Sequence, residues 1–303
     1  MSATGTPAGP FRSGLVAIAG APNAGKSTLL NRILGTPIAI TSPKPQTTRN
    51  RLLGVLHRPG AQIVFIDTPG IFEAKDRLNT RIVEAALGAI ADADLILAVV
   101  DAARPDPRAE AFLAARLKAR GLPVVLALNK IDLLPDKTAL LAMIDRWAKA
   151  LAPIATVPIS AAAGTQVEAL LQALAASLPE GPPYYPEETL TDATERFIAS
   201  ELIREKIFRL TGEEVPYATA VTIESYKESE GGRRVSIEAA IHLERDSQKG
   251  IVIGKGGAML KKIGTAARQD IERLTGAKVF LKLVVRVQKN WRRDPKAIER
   301  FGY

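Results

Sequence analysis

The stretch Gly20-Ala-Pro-Asn-Ala-Gly25-Lys26-Ser27 constrains this chain more than any other part of it. It fits the pattern G-x-x-x-x-G-K-[ST], follows the apolar run Leu15–Ala19 and precedes a helix-compatible run, Thr28–Leu34. In that setting the pattern demands a strand, a glycine-rich loop and a helix N-terminus in succession. The chemistry explains the residue types. Glycines let backbone N–H groups wrap phosphate oxygens, Lys26 neutralises the β and γ oxygens, and the Ser27 hydroxyl ligates Mg²⁺. The predicted phosphate-binding set is Gly20, Ala21, Pro22, Asn23, Ala24, Gly25, Lys26, Ser27 and Thr28.

The residues around this loop predict the sheet that carries it. Short apolar runs at Leu15–Ala19, Arg51–Leu56, Ile63–Ile66, Leu95–Val100, Val124–Leu128 and Ile154–Pro158 read as strands. Amphipathic stretches at Leu78–Ile90, Ala109–Ala119, Thr138–Ala150 and Val167–Leu178 read as the helices between them. Alternation of buried strands with helices predicts a three-layer α/β domain with a mainly parallel sheet.

Two further motifs fall where strands end. Asp67-Thr68-Pro69-Gly70 follows Ile63–Ile66, so the Asp67 carboxylate would hold Mg²⁺ and the Gly70 N–H would meet the γ-phosphate. Asn129-Lys130-Ile131-Asp132 follows Val124–Leu128. A carboxylate at Asp132 accepts two hydrogen bonds from the N1–H and 2-amino group of guanine, an edge that adenine lacks. A site built on that buried acceptor rejects adenine, because the acceptor would go unpaired. Ser160-Ala161, after the next strand, can place a backbone N–H on the guanine oxygen. The motif order therefore predicts a GTP site and argues against an ATP-dependent kinase that shares only the phosphate loop.

The pattern changes at Leu178–Thr191, where Pro179, Pro182, Pro183 and Pro186 read as a stiff linker. Asp192 with Glu195 reads as a capping box that opens a helix through about Leu210. Two alternating strands follow, Thr219–Ser225 and Val235–Leu243, joined around Gly231-Gly232. After Ile251-Val252-Ile253 the turn Gly254-Lys255-Gly256-Gly257 opens a helix, Ala258–Leu274, and the alternating run from Val279 to Val287 closes the series. A G-x-x-G turn in this order of elements predicts a type II KH domain, whose turn clamps about four nucleotides of single-stranded RNA. The predicted RNA contacts are Gly254, Lys255, Gly256, Gly257, Lys261 and Lys262, with Lys249 and Arg268 nearby. The organisation reads as an α/β nucleotide domain over 12–178, a linker over 179–192, an α+β KH domain over 193–290 and a tail over 291–303.

Charge agrees with phosphate-rich partners at both ends. Residues 1–66 hold seven Lys or Arg and no acidic residue, and residues 241–303 hold 15 basic and 6 acidic residues, while the middle is acidic. The chain has no cysteine, so disulfides and thiolate metal sites are excluded. Met1–Gly14 lacks the apolar segment of a signal peptide and no run reaches the ~20 apolar residues of a membrane span, so a cytoplasmic protein is expected. His57 and His242 sit in strand-like runs and carry no predicted role. Trp291 is expected to anchor the tail in a core rather than to stack on bases.

Taken together, these motifs resemble those of translation-factor-related GTPases, and Pro22-Asn23 within the loop is similar to the branch that holds the Era and tRNA-modification GTPases. The likeness extends through Phe197–Lys206 and Leu210-Thr211 to the tail residues Lys289–Arg292 and Gly302-Tyr303. It implies that Gln46, Thr47, Thr48 and Arg49 form the first switch, with Thr48 closing over Mg²⁺ beside Ser27 and Asp67, and Thr47 the second choice. Pro43 and Pro45, which flank that segment, depart from the family pattern and would stiffen the loop. Ile71 stands where Ras-like enzymes carry a water-positioning glutamine, and it cannot orient water by hydrogen bonding. The resemblance implies slow GTP hydrolysis to GDP and phosphate, with Mg²⁺ as cofactor and K⁺ as a second cation near Asn23. It also implies binding near the 3′ end of 16S ribosomal RNA during 30S subunit assembly, by a monomer with peripheral contact to the inner membrane face. A membrane-associated regulatory GTPase is the alternative reading; the basic residues, gathered on a glycine turn rather than an amphipathic stripe, argue against it.

Overall fold

The computed structural model describes residues 10–42, 44, 46–74 and 76–303. Met1–Gly9, which the signal-peptide reading covers, and Pro43 and Pro45, which the switch reading invokes, lie outside the described residues. The chain divides into two units, each with its own core.

The first unit is built on a six-stranded sheet in the order β2-β3-β1-β4-β5-β6. Its elements run β1 (Arg12–Ala19), α1 (Lys26–Leu34), β2 (Leu52–Arg58), β3 (Ala61–Asp67), α2 (Arg77–Ala91) and β4 (Leu95–Asp101). They continue with α3 (Pro107–Lys118), β5 (Val124–Asn129), α4 (Ala139–Leu151), β6 (Ala155–Pro158) and α5 (Val167–Ser177). β3 and β5 are buried at every position. This is why each reads as an unbroken apolar run: a strand covered on both faces has no polar alternation. Only β2 runs antiparallel to its neighbour, being joined to β3 by a turn at Gly60 too short for a parallel crossover. All other pairings are parallel.

One side of this sheet carries a cluster in which Ala17, Ala98, Leu126 and Leu128 meet Ile90, Leu113, Met143 and Trp147. The proline-rich segment is not free-standing. Gln62 Nε2 donates to the Tyr185 carbonyl at 2.7 Å and Ser13 Oγ to the Pro182 carbonyl at 2.6 Å. Tyr185 packs on the apolar cluster of Leu53, Val55 and Val64. Prolines suit such a strap because they need no donor partners along its length.

The second unit carries α6 (Glu195–Leu210), β7 (Ala220–Glu228), β8 (Arg234–Leu243), α7 (Asp246–Ile253), α8 (Ala258–Thr275), β9 (Lys278–Val287) and α9 (Pro295–Arg300). Its sheet runs β7-β8-β9, antiparallel then parallel. The cap of α6 is Thr194, whose hydroxyl accepts from Phe197 N at 3.2 Å, rather than the predicted Asp192. Thr194 stands directly before the first helical residue, within reach of the free N–H groups there. Val235, Ile237, Ala239, Ile241 and Leu243 point inward from β8. Trp291 is fully buried and donates from Nε1 to the Ala218 carbonyl at 2.9 Å.

The described residues of two short segments, 38–42, 44, 46–47 and 76–81, group with this unit by their contacts. Lys44 Nζ donates to the Phe208 carbonyl at 2.6 Å and to that of Thr211, which places a cation at the negative end of α6. Arg204, fully buried on α6, donates to the Thr47 carbonyl.

Candidate nucleotide site and RNA groove

The nucleotide motifs all sit at the C-terminal ends of parallel strands, where open α/β sheets form their binding crevices. β1 ends at Ala19 and the loop Gly20–Gly25 leads into α1. Gly25 has φ +97°, and a Cβ there would lie 2.2 Å from Asn129 Nδ2. A Cβ on Gly20 would lie 2.4 Å from the Val99 carbonyl, and one on Gly70 would lie 2.9 Å from Pro22. Side chains are excluded at all three points, which leaves bare backbone lining the loop. Asn23 also has positive φ, and Thr28 follows Ser27 in the first turn of α1.

Beneath the loop, three side-chain oxygens converge. Ser27 Oγ donates to Asp67 Oδ2 at 2.9 Å, and Thr48 Oγ1 lies 2.9 Å from Ser27 Oγ and 3.4 Å from Asp67 Oδ2. Asp67 is fully buried, and its Oδ1 has no hydrogen-bond partner. Burial pushes the Asp67 carboxyl up to about 6, against the pull of Lys26 and of hydrogen bonds from Ser27, Thr48 and Thr68. Burial likewise lowers the Lys26 ammonium to about 8, partly offset by Asp67. Lys26 Nζ donates to the carbonyls of Gly20 at 3.1 Å and Ala21 at 3.0 Å. A buried carboxylate oxygen without a donor, beside two hydroxyls, is a set of hard oxygen ligands that fits Mg²⁺. Of the two threonines in the first-switch reading, Thr48 brings its hydroxyl to this cluster, whereas Thr47 gives its carbonyl to Arg204. Gln46 has φ +62° and Arg49 is buried.

The guanine motifs are held by one asparagine. Asn129 Nδ2 donates to the Ala24 carbonyl at 2.8 Å, and its Oδ1 accepts from Ala161 N at 2.9 Å. It therefore ties the phosphate loop to the Ser160-Ala161 turn. Lys130, with φ +68°, pairs with Asp101 at 2.5 Å, while Asp132 is exposed. Ser160 Oγ accepts from Ala163 N at 3.0 Å. Thr68 turns inward and donates to the Ile18 carbonyl at 2.8 Å, so its hydroxyl fastens β1 to the end of β3. Pro69 and Gly70 follow it at the loop. Ile71 is fully buried in the core cluster, and its N–H donates to the Gly20 carbonyl at 3.0 Å. Two supporting residues escaped sequence reasoning. Asp101 is one; Arg32, which donates from α1 to the carbonyls of Ala161 and Ala162, is the other. Neither belongs to a motif, although Asp101 does stand at a strand end.

In the second unit Gly254, Gly256 and Gly257 have φ of +72°, +58° and +81°. These left-handed values let the backbone reverse between α7 and α8. Beside the turn lies a groove of about 390 Å³ lined by Gly257, Leu260, Lys261, Gly264, Arg268 and Leu283, among others. A Cβ on Gly264 would sit 3.4 Å from Leu283 Cδ1, so this glycine keeps the groove open between α8 and β9. Lys255 and Gly256 are exposed at the turn. Lys262 is exposed but does not line the groove. The apolar wall from β9 escaped sequence reasoning because its residues read there simply as a buried strand face.

The sheet order, the phosphate loop and the KH module define the class: a P-loop GTPase with a C-terminal RNA-binding domain of the KH type. Residues 15–130 match the family model of the 50S ribosome-binding GTPases, and residues 214–292 match that of the KH domain. GTPase Era of Geobacter metallireducens is 55% identical over 294 residues, spanning 97% of this chain and 98% of that protein. GTPase Era of Lacticaseibacillus paracasei is 52% identical over 96% of each chain. The crystal structure of a tyrosine variant of Aquifex aeolicus Era bound to GDP·AlF₄⁻ superposes with a TM-score of 0.92 at 42% identity, covering 97% of this chain and 99% of that one. A crystal structure of Era with MgGDPNP and nucleotides 1506–1542 of 16S ribosomal RNA matches with the same score and identity. The chain belongs to the Era family of GTPases.

Proposed function

We propose that this GTPase acts in assembly of the 30S ribosomal subunit, binding near the 3′ end of 16S rRNA through its KH groove. The observation that carries the reading is the occurrence, on one chain, of the Ser27–Thr48–Asp67 oxygen cluster and the glycine-turn groove. A relative at 42% identity was crystallised with both a GTP analogue and a 16S rRNA segment, which supports it.

In this reading Gly20–Thr28 and Gly70 receive the phosphates on backbone N–H groups, and Lys26 leaves its loop carbonyls to meet the β and γ oxygens. Ser27, Thr48 and Asp67 hold Mg²⁺, whose charge offsets that developing on the transferred phosphoryl group. Asp132 reads the guanine edge, Ala161 N–H meets the guanine oxygen, and Asn129 keeps the two loops in register. Ile71 has its side chain in the core, so no protein group at that position orients the attacking water. Slow hydrolysis follows; Asn23 would help to hold a K⁺ ion, which would add positive charge near the phosphates. Gly254–Gly257, Lys255, Lys261 and Arg268 hold the RNA backbone. The protein works as a cytoplasmic monomer whose nucleotide state sets its hold on RNA.

Crosslinking in living cells, with the attached RNA sequenced, tests this. Reads should concentrate at the 3′ end of small-subunit rRNA and be lost with the double change Lys255→Asp and Gly256→Asp. Reads spread over unrelated RNAs, unchanged by that variant, would overturn the proposal.

A further inference from the structure

The groove uses one side of β9, and the other side of the same strand carries a second feature. Leu281 and Leu283 face the groove from β9. Side chains alternate along a strand, so Lys278, Phe280 and Lys282 point to the opposite face. Phe280 is 66% exposed, more than Tyr184 at 54%. Register places it beside Ser236, which in turn pairs with Lys227. The small serine leaves the ring uncovered. A second groove of about 470 Å³ opens here, lined by Lys227, Arg234, Ser236, Lys278 and Phe280 among others. Three of its lining residues are cations and one, Glu228, is an anion. Among the described residues, Lys227, Arg234 and Lys278 take part in no ion pair. The far end of this sheet face is already covered, because the Phe301 ring of the tail packs against His242 with centroids 4.3 Å apart. The hairpin end is bare.

An uncovered aromatic ring flanked by unpaired cations is the arrangement by which proteins hold single-stranded nucleic acid: the ring stacks a base and the cations follow the phosphates. Continuity points to the same occupant. Leu281 in the first groove and Phe280 in the second are neighbours on one edge strand, about 3.3 Å apart along it. A strand that leaves the first groove across this edge meets the ring at once. We infer that Phe280, with Lys227, Arg234 and Lys278, forms a second RNA subsite that stacks a base flanking the nucleotides held at the glycine turn. The inference rests on the KH groove binding single-stranded RNA.

Two RNAs separate the subsite from the groove: a tetranucleotide that fills the groove alone, and a ten-nucleotide RNA that extends past it. Affinities of the full-length protein for each are measured by fluorescence anisotropy. Base stacking contributes about 1–3 kcal/mol, so Phe280→Ala should weaken the ten-mer about 5- to 150-fold and leave the tetranucleotide unchanged. Because Phe280 is exposed, the change removes no core packing. Phe280→Trp should keep ten-mer affinity, and the new indole should be quenched by the ten-mer and not by the tetranucleotide. Lys227→Gln with Lys278→Gln should lower the salt slope of ten-mer binding by about 0.7 for each phosphate no longer neutralised. Wild-type affinity of Phe280→Ala for both RNAs, or equal weakening of both, would overturn the subsite. A wild-type protein that binds neither RNA would instead overturn the RNA reading on which it rests.

Discussion

Gly25→Ala tests whether Asn129 holds the nucleotide site together. The new Cβ would lie 2.2 Å from Asn129 Nδ2, well inside any real carbon–nitrogen contact. The asparagine cannot swing aside freely, since it is clamped by Ala24 O at 2.8 Å and Ala161 N at 2.9 Å and is 2% exposed. Relief therefore breaks both bonds, at about 1–3 kcal/mol for each buried group left unpaired. Alanine in the left-handed conformation at φ +97° adds about 1–2 kcal/mol. The expected cost is about 3–8 kcal/mol, confined to the loops around β1 and β5. Hydrogen exchange resolved by peptide reads it directly, as reduced protection across 20–30, 124–132 and 158–165 with the second unit unchanged. Asn129→Ala should reduce protection over the same peptides, and the double variant should reduce it little more than either single change. Additive effects, or full protection in Gly25→Ala, would refute the clamp.

Further outcomes follow from the same geometry. Asp132→Asn should weaken GTP binding by at least tenfold and shift preference toward xanthosine triphosphate, measured by competition; a wild-type protein that binds ATP as well as GTP contradicts the guanine reading. Hydrolysis should run faster in K⁺ than in Na⁺ at equal ionic strength, and Asn23→Ala should shrink that ratio; equal rates in both salts remove the cation from the mechanism. His242, buried against Phe301 with Nε2 on Thr222 Oγ1 at 2.8 Å, has its ring lowered from 6.5 to about 4 by burial and by Arg286 and Arg300, against Glu224. Between those values the unfolded chain binds the proton and the native chain does not, so stability is full above about pH 6.5 and falls as pH drops toward 4. Solvent at the exposed arginines keeps the loss on the order of 2 kcal/mol. Urea midpoints of the second unit at pH 7.5 and 4.5 should show it, and His242→Gln should flatten the profile.

What the sequence made legible was chemistry that is local in the chain. Gly25, Lys26 and Ser27 occupy consecutive positions because a loop and the helix turn after it need all three at once. The strand ends at Asp67 and Asn129 follow from apolar runs whose length sets where the chain emerges from the sheet. Type and order of the elements up to β9 were readable for the same reason, with bounds shifted by a few residues, whereas the short helix α9 lay in what read as a tail. Contacts between distant positions were not. Nothing near Arg32 signals that its guanidinium reaches carbonyls 129 and 130 residues later. The strap at 179–192 read as linker because prolines report what a segment cannot form and not what it lies against. Asp192 and Thr194 are both good cap residues, and only the helix phase chooses between them.

Ile71 and Phe280 show how one residue type takes opposite meanings from its surroundings. In sequence Ile71 marks a missing glutamine; in the structure it belongs to the core cluster with Ala86 and Ile90, so its replacement by glutamine would bury an amide. Burying an unpaired amide costs about 1–3 kcal/mol. Ile71→Gln should therefore lower stability without raising the hydrolysis rate; a faster rate at undiminished stability would refute the core placement as the reason. Phe280 is the converse. It interrupts the charged face of β9 between Lys278 and Lys282, and an apolar ring there gains nothing from the core beneath the other face. A residue that folding does not require, set among cations beside the proposed RNA groove, is best accounted for by what binds it.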